Sequence, residues 1–532
     1  MTDVDVVIVG GGPVGLMTAC ELVLHGVQRV IVLETLSEPC SEPRAMGVAG
    51  PAVRLLDHRG LYEPLSGSLQ RPQPSPFQVF AALPFAVPSA NAAQTYVLLS
   101  PQPVINRALA DRAAELGVVL MWGHSLVGFT ERADDMSVEV EGPSGRYTFD
   151  AGYLVGADGG RGVTRKMAGI KYTGMSSQDA VFRMGRGLLP SPESIENSGV
   201  AGLDLRTSGF FRTETGMLLL FSNPVNPDLC MVGTLELGPS ADDTYVAGRE
   251  HPGFGDKLTR LELQDSIRRV LGVDLELVRA APQQRAVLRR YAGVNTLIAE
   301  SYRRGRVLLV GDAAHIQSAM GGPGLNLGLQ DAANLGWKLA SVVRGAMPAD
   351  LLDSYESERR IAAEYAIRAS RAQFALLRPG SEVTALRQVM ADLVAVPAAA
   401  QLLAEDVSLG AVRYPSEPDD HEVVGQWVPD LTITTSTGVW RIAELSRDGR
   451  PVLLDFTETG SVSGAVAVGS GAVNIVRGVP AETTGLTAVL VRPDGYVAWA
   501  SSEAEPALSG LDDALQRWFG VGRGVGLEPS AA

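Results

Sequence analysis

The feature that most constrains this chain is a change of period near its start. Val6, Val7, Ile8 and Val9 form an all-apolar run of the kind a buried parallel strand shows. Gly10 to Gly15 breaks the run. Leu16, Ala19, Cys20, Leu22, Val23 and Leu24 then repeat at helical spacing up to Gly26, a C-terminal cap. Val30 to Leu33 make a second buried strand that ends at Glu34. Strand, glycine turn, helix and strand within about 30 residues are a βαβ unit. In the turn Gly10-Gly11-Gly12-Pro13-Val14-Gly15, Gly10 permits the tight bend, Gly12 lets backbone approach a pyrophosphate, and Gly15 allows the helix to pack closely. The helix N-terminus adds free amides and the positive end of its dipole. Glu34, 19 residues beyond Gly15, stands where a carboxylate accepts hydrogen bonds from an adenosine ribose. A glycine-rich turn without a ligand is the bland alternative, and the order of strand, helix, strand and acid favours a bound dinucleotide.

Two later motifs separate one dinucleotide from another. The first is Gly156-Ala157-Asp158-Gly159-Gly160-Arg161, followed by Arg165. The second begins with the strand-like Arg306 to Val310, passes Gly311-Asp312-Ala313-Ala314-His315, and reaches Gly321-Gly322-Pro323-Gly324-Leu325-Asn326. A carboxylate at the end of a strand, here Asp312, can bind a ribityl hydroxyl, while the glycine turn presents amides to an isoalloxazine edge.

With these motifs in this order the chain resembles the class A FAD-dependent aromatic hydroxylases, the family of para-hydroxybenzoate and phenol hydroxylases. It is most similar to actinobacterial polyketide-tailoring oxygenases with an appended thioredoxin-like domain. The resemblance extends along essentially the whole chain and includes Arg44 in Pro43-Arg44-Ala45-Met46-Gly47, Gln102 in Ser100-Pro101-Gln102, and the segment Asp331 to Leu339. It implies that FAD is held by the first glycine turn and Glu34, with Arg44 and Gln102 near the pyrophosphate and ribityl chain. It also implies a backbone contact from Leu126 near the adenine. Asp158 and Gly159 would serve FAD and the nicotinamide donor, Asp312 the ribityl chain, and Gly322, Gly324, Leu325 and Asn326 the flavin ring. One departure is visible. Relatives read Pro-Pro-x-Gly-Gly-Gln-Gly after the second motif, whereas this chain reads Ser318-Ala319-Met320-Gly321-Gly322-Pro323-Gly324. His315 reads better as a packed supporting residue than as a base.

The expected fold is therefore α/β: a Rossmann-like FAD-binding domain (1–171 and 291–400, the latter with long helices) interleaved with a mostly antiparallel substrate domain (172–290). Strands are expected at 118–121, 126–131, 136–140, 153–156, 217–221 and 230–237, and helices at 104–116, 258–271, 326–344 and 351–377. Pro415, Pro418 and neighbouring acids mark a linker over 414–420, and 415–532 form a thioredoxin-like domain. That domain has no cysteine, since the last is Cys230, so it cannot run dithiol chemistry, and a structural or dimer-supporting role is expected.

Bulk properties exclude other classes. The chain has 532 residues, 45% hydrophobic and 20% charged, ordinary globular values. A net charge of −15 speaks against nucleic acid or anionic membranes as partners. Three dispersed cysteines make no metal-ligand spacing and fit a reducing compartment. The acidic N-terminus is no signal peptide, and no apolar run is long enough to span a membrane, so a cytoplasmic monomer or homodimer is expected.

The resemblance implies the following chemistry. NADPH or NADH reduces FAD, O2 gives a flavin hydroperoxide, and a small aromatic substrate of polyketide type is hydroxylated. Baeyer–Villiger oxygenation of a polycyclic ketone is the alternative on the same scaffold, and no individual catalytic residue or metal ligand is assigned. The substrate pocket is expected between the flavin and the central sheet, lined by residues from Phe182 to Phe221 and Met231 to Leu235. A reductase or halogenase is disfavoured, because the Trp-x-Trp-x-Ile motif and flavin lysine of halogenases are missing. A non-catalytic binding protein is disfavoured by Asp158 and Asp312, which folding alone does not need.

Overall fold

Val4–Val9 lies at the centre of an eight-stranded sheet with nearly every side chain buried, the environment its uninterrupted apolar sequence demands. The computed structural model describes residues 3–521 except 42–43, 89–94, 201, 205–208, 224–226, 228–229, 238–257, 284, 318–321 and 467–471. In it Val4–Val9 pairs in parallel with Val30–Glu34 on one side and with the end of Gly145–Gly156 on the other. Val119–Trp122 and Val307–Leu309 extend the parallel core outward. The first half of Gly145–Gly156 instead pairs antiparallel with Met136–Gly142, which pairs with Ser125–Glu131. One long strand thus joins a parallel core to an antiparallel branch.

The helix Pro13–Leu24 starts on Gly12 with proline in its first turn, the position where a missing N–H costs nothing. It ends with Gly26 at a left-handed φ of 90° and with Val27 N–H bonded to the Leu22 carbonyl, a glycine-closed terminus. It crosses the helix Pro323–Val343 at Gly336, where an added Cβ would lie 2.3 Å from Glu21 Cβ.

The second sheet has six strands, all antiparallel, in the order Gly209–Arg212, Gly216–Phe221, Met231–Leu237, Tyr172–Arg186, Val287–Ala299, His315–Ile316. Side chains of Gly216–Phe221 alternate between its faces, as strand geometry requires. Leu218 and Leu220 pack with Leu263 and Ile267 of the helix Arg260–Leu271. Met217 and Leu219 face the opposite way, toward Leu235, Phe80, Phe85 and Leu376. The last strand, His315–Ile316, belongs to the loop that follows Asp312, so the two sheets share the segment bearing the second motif.

The C-terminal unit has a four-stranded sheet in the order Asn474–Arg477, Val452–Asp455, Ala488–Val491, Val497–Ser501. Its first pair is parallel and the others antiparallel, with Ser509–Phe519 closing the chain, which is the thioredoxin-like topology. One sequence expectation needs correction, and two helices were not expected. The stretch 414–420 is not a free linker throughout: Pro415 to Asp419 are exposed, but Tyr414 is 3% exposed and stacks on Tyr496 at 3.8 Å between ring centres. The helices Ser381–Val394 and Pro397–Val407 escape the periodicity reading because few of their side chains are buried. No single helix among the described residues is long and apolar enough to cross a membrane.

Candidate flavin-binding crevice

The loops carrying the three motifs meet at the carboxyl ends of the parallel strands, where open α/β sheets bind ligands. Gly10 has φ 113°, and a Cβ there would stand 2.4 Å from the Ala157 carbonyl oxygen. A Cβ on Gly15 would be 2.0 Å from the Gly10 carbonyl oxygen. Val14 fills the space in front of Gly311 and Gly328, whose added Cβ atoms would meet its methyls at 3.2 and 2.6 Å. Gly12 is the exception, since a Cβ there meets nothing within 4 Å. Gly10 and Gly15 are therefore required by packing, while Gly12 borders open space of the kind a pyrophosphate needs.

Glu34 is oriented by its own turn. Its Oε2 accepts the Gly11 N–H at 2.7 Å, and its Oε1 accepts the Leu36 N–H at 2.9 Å. The His124 N–H bonds to the Glu34 carbonyl at 2.9 Å, which brings the segment leading to Leu126 against the strand end, with the Leu126 side chain buried. On the other wall, exposed Arg44 sits in a loop pinned at both ends. Gln102 Oε1 accepts the Ala45 N–H at 3.2 Å, and Asn326 Oδ1 accepts the Ala49 N–H at 2.7 Å while its Nδ2 donates to the Gly322 carbonyl at 3.0 Å. Gln102 and Asn326 thus shape the loop that presents Arg44.

Asp158 Oδ2 accepts both the N–H and the hydroxyl of Thr164 at 2.9 Å, while Oδ1 is buried without a hydrogen-bond partner among the described residues. Gly159 beside it takes a left-handed φ of 78°. The Asp312 carboxyl is open to solvent, yet its crevice is crowded with protein atoms. This desolvation pushes its pKa up, opposed by His315 and Arg44. The Tyr172 hydroxyl donates to the carbonyls of Asp312 and Ala313 at 2.7 and 3.1 Å, and burial holds that phenol protonated. A Cβ on Gly324 would approach Asp312 Oδ1 at 3.5 Å and Gln317 Nε2 at 3.2 Å. Both amide atoms of Gln317 are buried without a partner among the described residues. Gly322 starts the helix Pro323–Val343 at φ 65° with no side-chain cap, so its first amides are free, and half-buried Leu325 packs on the core below. Pro323, the departure from the related pattern, occupies the first helical turn. Residues 318–321 lie outside the described residues.

These features suit FAD. Open space at Gly12 and two uncapped helix N-termini can receive phosphates and a ring edge, and the buried Asp158 oxygen and the Gln317 amide lack partners that a polar cofactor can provide.

His315 is no base. It is 0% exposed and its Nε2 lies 2.6 Å from Asp331 Oδ2. Asp331 Oδ2 also accepts the Gly311 N–H at 3.1 Å, and Arg359 Nε donates to Oδ1 at 2.7 Å. Burial alone would raise Asp331, but His315 and Arg359 outweigh it and hold the carboxyl below its ordinary value. Sequence reasoning gave Asp331, Arg359, Tyr172 and Gln317 no such roles. For Asp331 a signal was present: Asp331, Asn334 and Lys338 recur at helical spacing on the buried side of one helix, where charge needs partners.

A family model described as FAD binding domain matches residues 3–196 and 246–370, and one described as aromatic-ring hydroxylase, C-terminal, matches residues 421–521. The chain is 36% identical to the 12-dehydrotetracycline 5-monooxygenase/anhydrotetracycline 6-monooxygenase of Streptomyces rimosus subsp. rimosus, over 97% of this chain and 99% of the relative. It is 33% identical to the dialkyldecalin synthase of Streptomyces rugosporus, over 97% and 98% respectively. Its fold matches the solved anhydrotetracycline hydroxylase from Streptomyces rimosus with a TM-score of 0.81 and 34% identity, over 97% of this chain and 99% of that one. Crevice, topology and these likenesses agree: the chain belongs to the FAD-dependent aromatic hydroxylases and is a flavin monooxygenase.

Proposed function

We propose that this protein uses FAD, reduced by NADPH or NADH, to place one oxygen atom of O2 on a polycyclic aromatic polyketide. The observation that carries the reading is the convergence of Gly12, Asp158 and Asp312 on one crevice, with a buried carboxylate oxygen left for a ligand. Bound FAD supplies the redox and oxygen-activating chemistry. The chain's own residues bind and shield. The Gly12 turn and Arg44 take the pyrophosphate, Glu34 the ribose, and Asp312 with Gln102 the ribityl hydroxyls. Gly322, Gly324, Leu325 and Asn326 take the ring, and Asp158 with Gly159 serve both FAD and the nicotinamide donor. Leu126 contributes backbone at the adenine end.

We take residues 172–290 as the substrate domain. Its apolar sheet face, with Phe182, Met217, Leu219, Phe221 and Leu235, excludes water from the reacting ring. The aromatic polyketide named in the relatives' activities supports that substrate class.

The test is a purified yellow protein offered a panel of tetracyclic and angular aromatic polyketides. A substrate should speed NADPH or NADH oxidation and gain one oxygen atom by mass spectrometry. No stimulation across the panel would refute the substrate class. Substrate conversion without nicotinamide consumption would refute monooxygenation and point to synthase chemistry like that named for the Streptomyces rugosporus relative.

A further inference from the structure

The turn Arg492–Tyr496 of the thioredoxin-like domain enters the FAD-binding domain and connects to the first glycine helix, to Asn326 and to the Gly311–Asp312 turn. Its Pro493 carbonyl accepts from Arg59 at 2.7 Å, and Arg59 holds Glu21, on the helix of the first glycine turn, at 2.6 and 2.9 Å. The Tyr496 hydroxyl donates to Gln330 Oε1 at 3.4 Å, and Gln330 Nε2 donates to the carbonyl of Asn326 at 3.1 Å. Asn326 in turn pins Ala49 of the Arg44 loop. The Tyr496 ring stacks on Tyr414, whose hydroxyl accepts from Arg359 at 2.9 Å, and Arg359 holds Asp331, which holds the Gly311 N–H beside Asp312. Arg492 bonds Glu358 at 2.6 and 2.8 Å, Lys338 bonds the same carboxylate at 2.7 Å, and Asn334 joins Glu358 to Asp494.

These groups are buried, and their charges balance. Asp331, Glu358 and Asp494 face Lys338, Arg359 and Arg492. Burying so many charges against well-packed apolar alternatives adds little stability. What a largely satisfied polar network does supply is one allowed geometry. Every member makes at least one bond to protein, and of the groups named here only Asn334 Oδ1 is buried without a partner among the described residues. The ends of the network are the Gly311–Asp312 turn, Asn326 and the first glycine helix.

We propose that the Arg492–Tyr496 turn, acting with Tyr414, is a positioning element for the flavin. It sets the Gly311–Asp312 turn through Arg359 and Asp331, and Asn326 through Gln330. The cysteine-free domain then works as a buttress of the flavin crevice rather than as a redox module. This rests on the crevice being the FAD site.

The test uses the full-length protein with Tyr414→Phe and Tyr496→Phe combined, which removes two hydroxyls and keeps the stacked rings. FAD dissociation constant, visible flavin spectrum and flavin reduction potential are measured beside apo-protein thermal unfolding. Val489→Ala, in the buried core of the C-terminal sheet, is the control for simple loss of stability. The double variant should bind FAD roughly twofold to thirtyfold more weakly, the span that coupling through packed networks produces, with a displaced spectrum or potential. Val489→Ala should lower the unfolding temperature and leave all three flavin readouts in place. A double variant with wild-type affinity, spectrum and potential overturns the proposal, as does a Val489→Ala variant that shifts them equally. Asp312→Ala separates the two levels. If it binds FAD as wild type does, the site reading itself fails and the proposal with it. If Asp312→Ala is impaired and the double variant is silent, only the positioning role fails.

Discussion

Glycines of one motif answer to different forces, and the difference is measurable. A methyl on Gly15 would overlap the Gly10 carbonyl at 2.0 Å, so Gly15→Ala should lower apo-protein stability by about 3 kcal/mol or more. A methyl on Gly12 meets nothing within 4 Å, so Gly12→Ala should change apo-protein stability by less than about 0.5 kcal/mol. The same methyl would occupy the space left for the pyrophosphate and weaken FAD binding by roughly tenfold or more, about 1.4 kcal/mol. Thermal unfolding of apo-protein beside FAD titration checks both, and parallel losses in the two variants would contradict the division. Asp312→Ala removes a charged acceptor and should weaken FAD by about 1.5–3 kcal/mol, measured by fluorescence titration. The thiols give a simpler check. Burial pushes Cys20 up to about 12, Cys230 is buried, and Cys40 is partly exposed, so a thiol reagent should label only Cys40 in native protein and all three cysteines after denaturation.

At the scale of elements, the helices Pro323–Val343 and Asp353–Leu377 face each other with charges between them. Burial alone would raise Glu358 and Asp331. Arg492 and Lys338 hold Glu358 below its ordinary value, and His315 and Arg359 do the same for Asp331. A carboxyl depressed in the folded state contributes stability that is full above its unfolded value and lost as pH falls through the folded one. The urea midpoint should therefore stay flat from neutral pH to about pH 5 and drop steeply below about pH 4. Asp331→Asn should start lower and fall less steeply, and an unchanged slope would show that Asp331 carries none of the acid response. Periodicity read these helices to within a few residues, because burial of one face repeats along the sequence. It did not say what the polar positions on the buried face were for. Asp331 and Lys338 pair with Arg359 and Glu358 on another helix, and local spacing holds no record of such partners.

On the scale of the whole molecule, the thioredoxin-like domain covers Glu358 and Lys338 with Arg492 and Asp494. A chain ending at Arg413 would strip Glu358 of its two Arg492 bonds and remove the Tyr414 stack, so it should be insoluble or fail to hold FAD. Size-exclusion chromatography with flavin absorbance checks this, and a soluble yellow truncated protein would contradict it. Fold class, the glycine turns, Glu34, Asp158 and Asp312 were legible from the amino-acid order, because strand, turn and helix are encoded by local period and by the few residues that tolerate a given backbone or close approach. Tyr414 was misread as linker, and Glu21, Arg59, Arg359 and Arg492 were silent. Their bonds span 134 residues between Arg492 and Glu358 and 434 between Arg59 and Pro493. By itself the sequence determined which segments could cradle a dinucleotide. Only the tertiary structure decided which distant charges would be buried together, because that pairing depends on how the sheets and the C-terminal domain are brought into contact, and no local pattern carries that information.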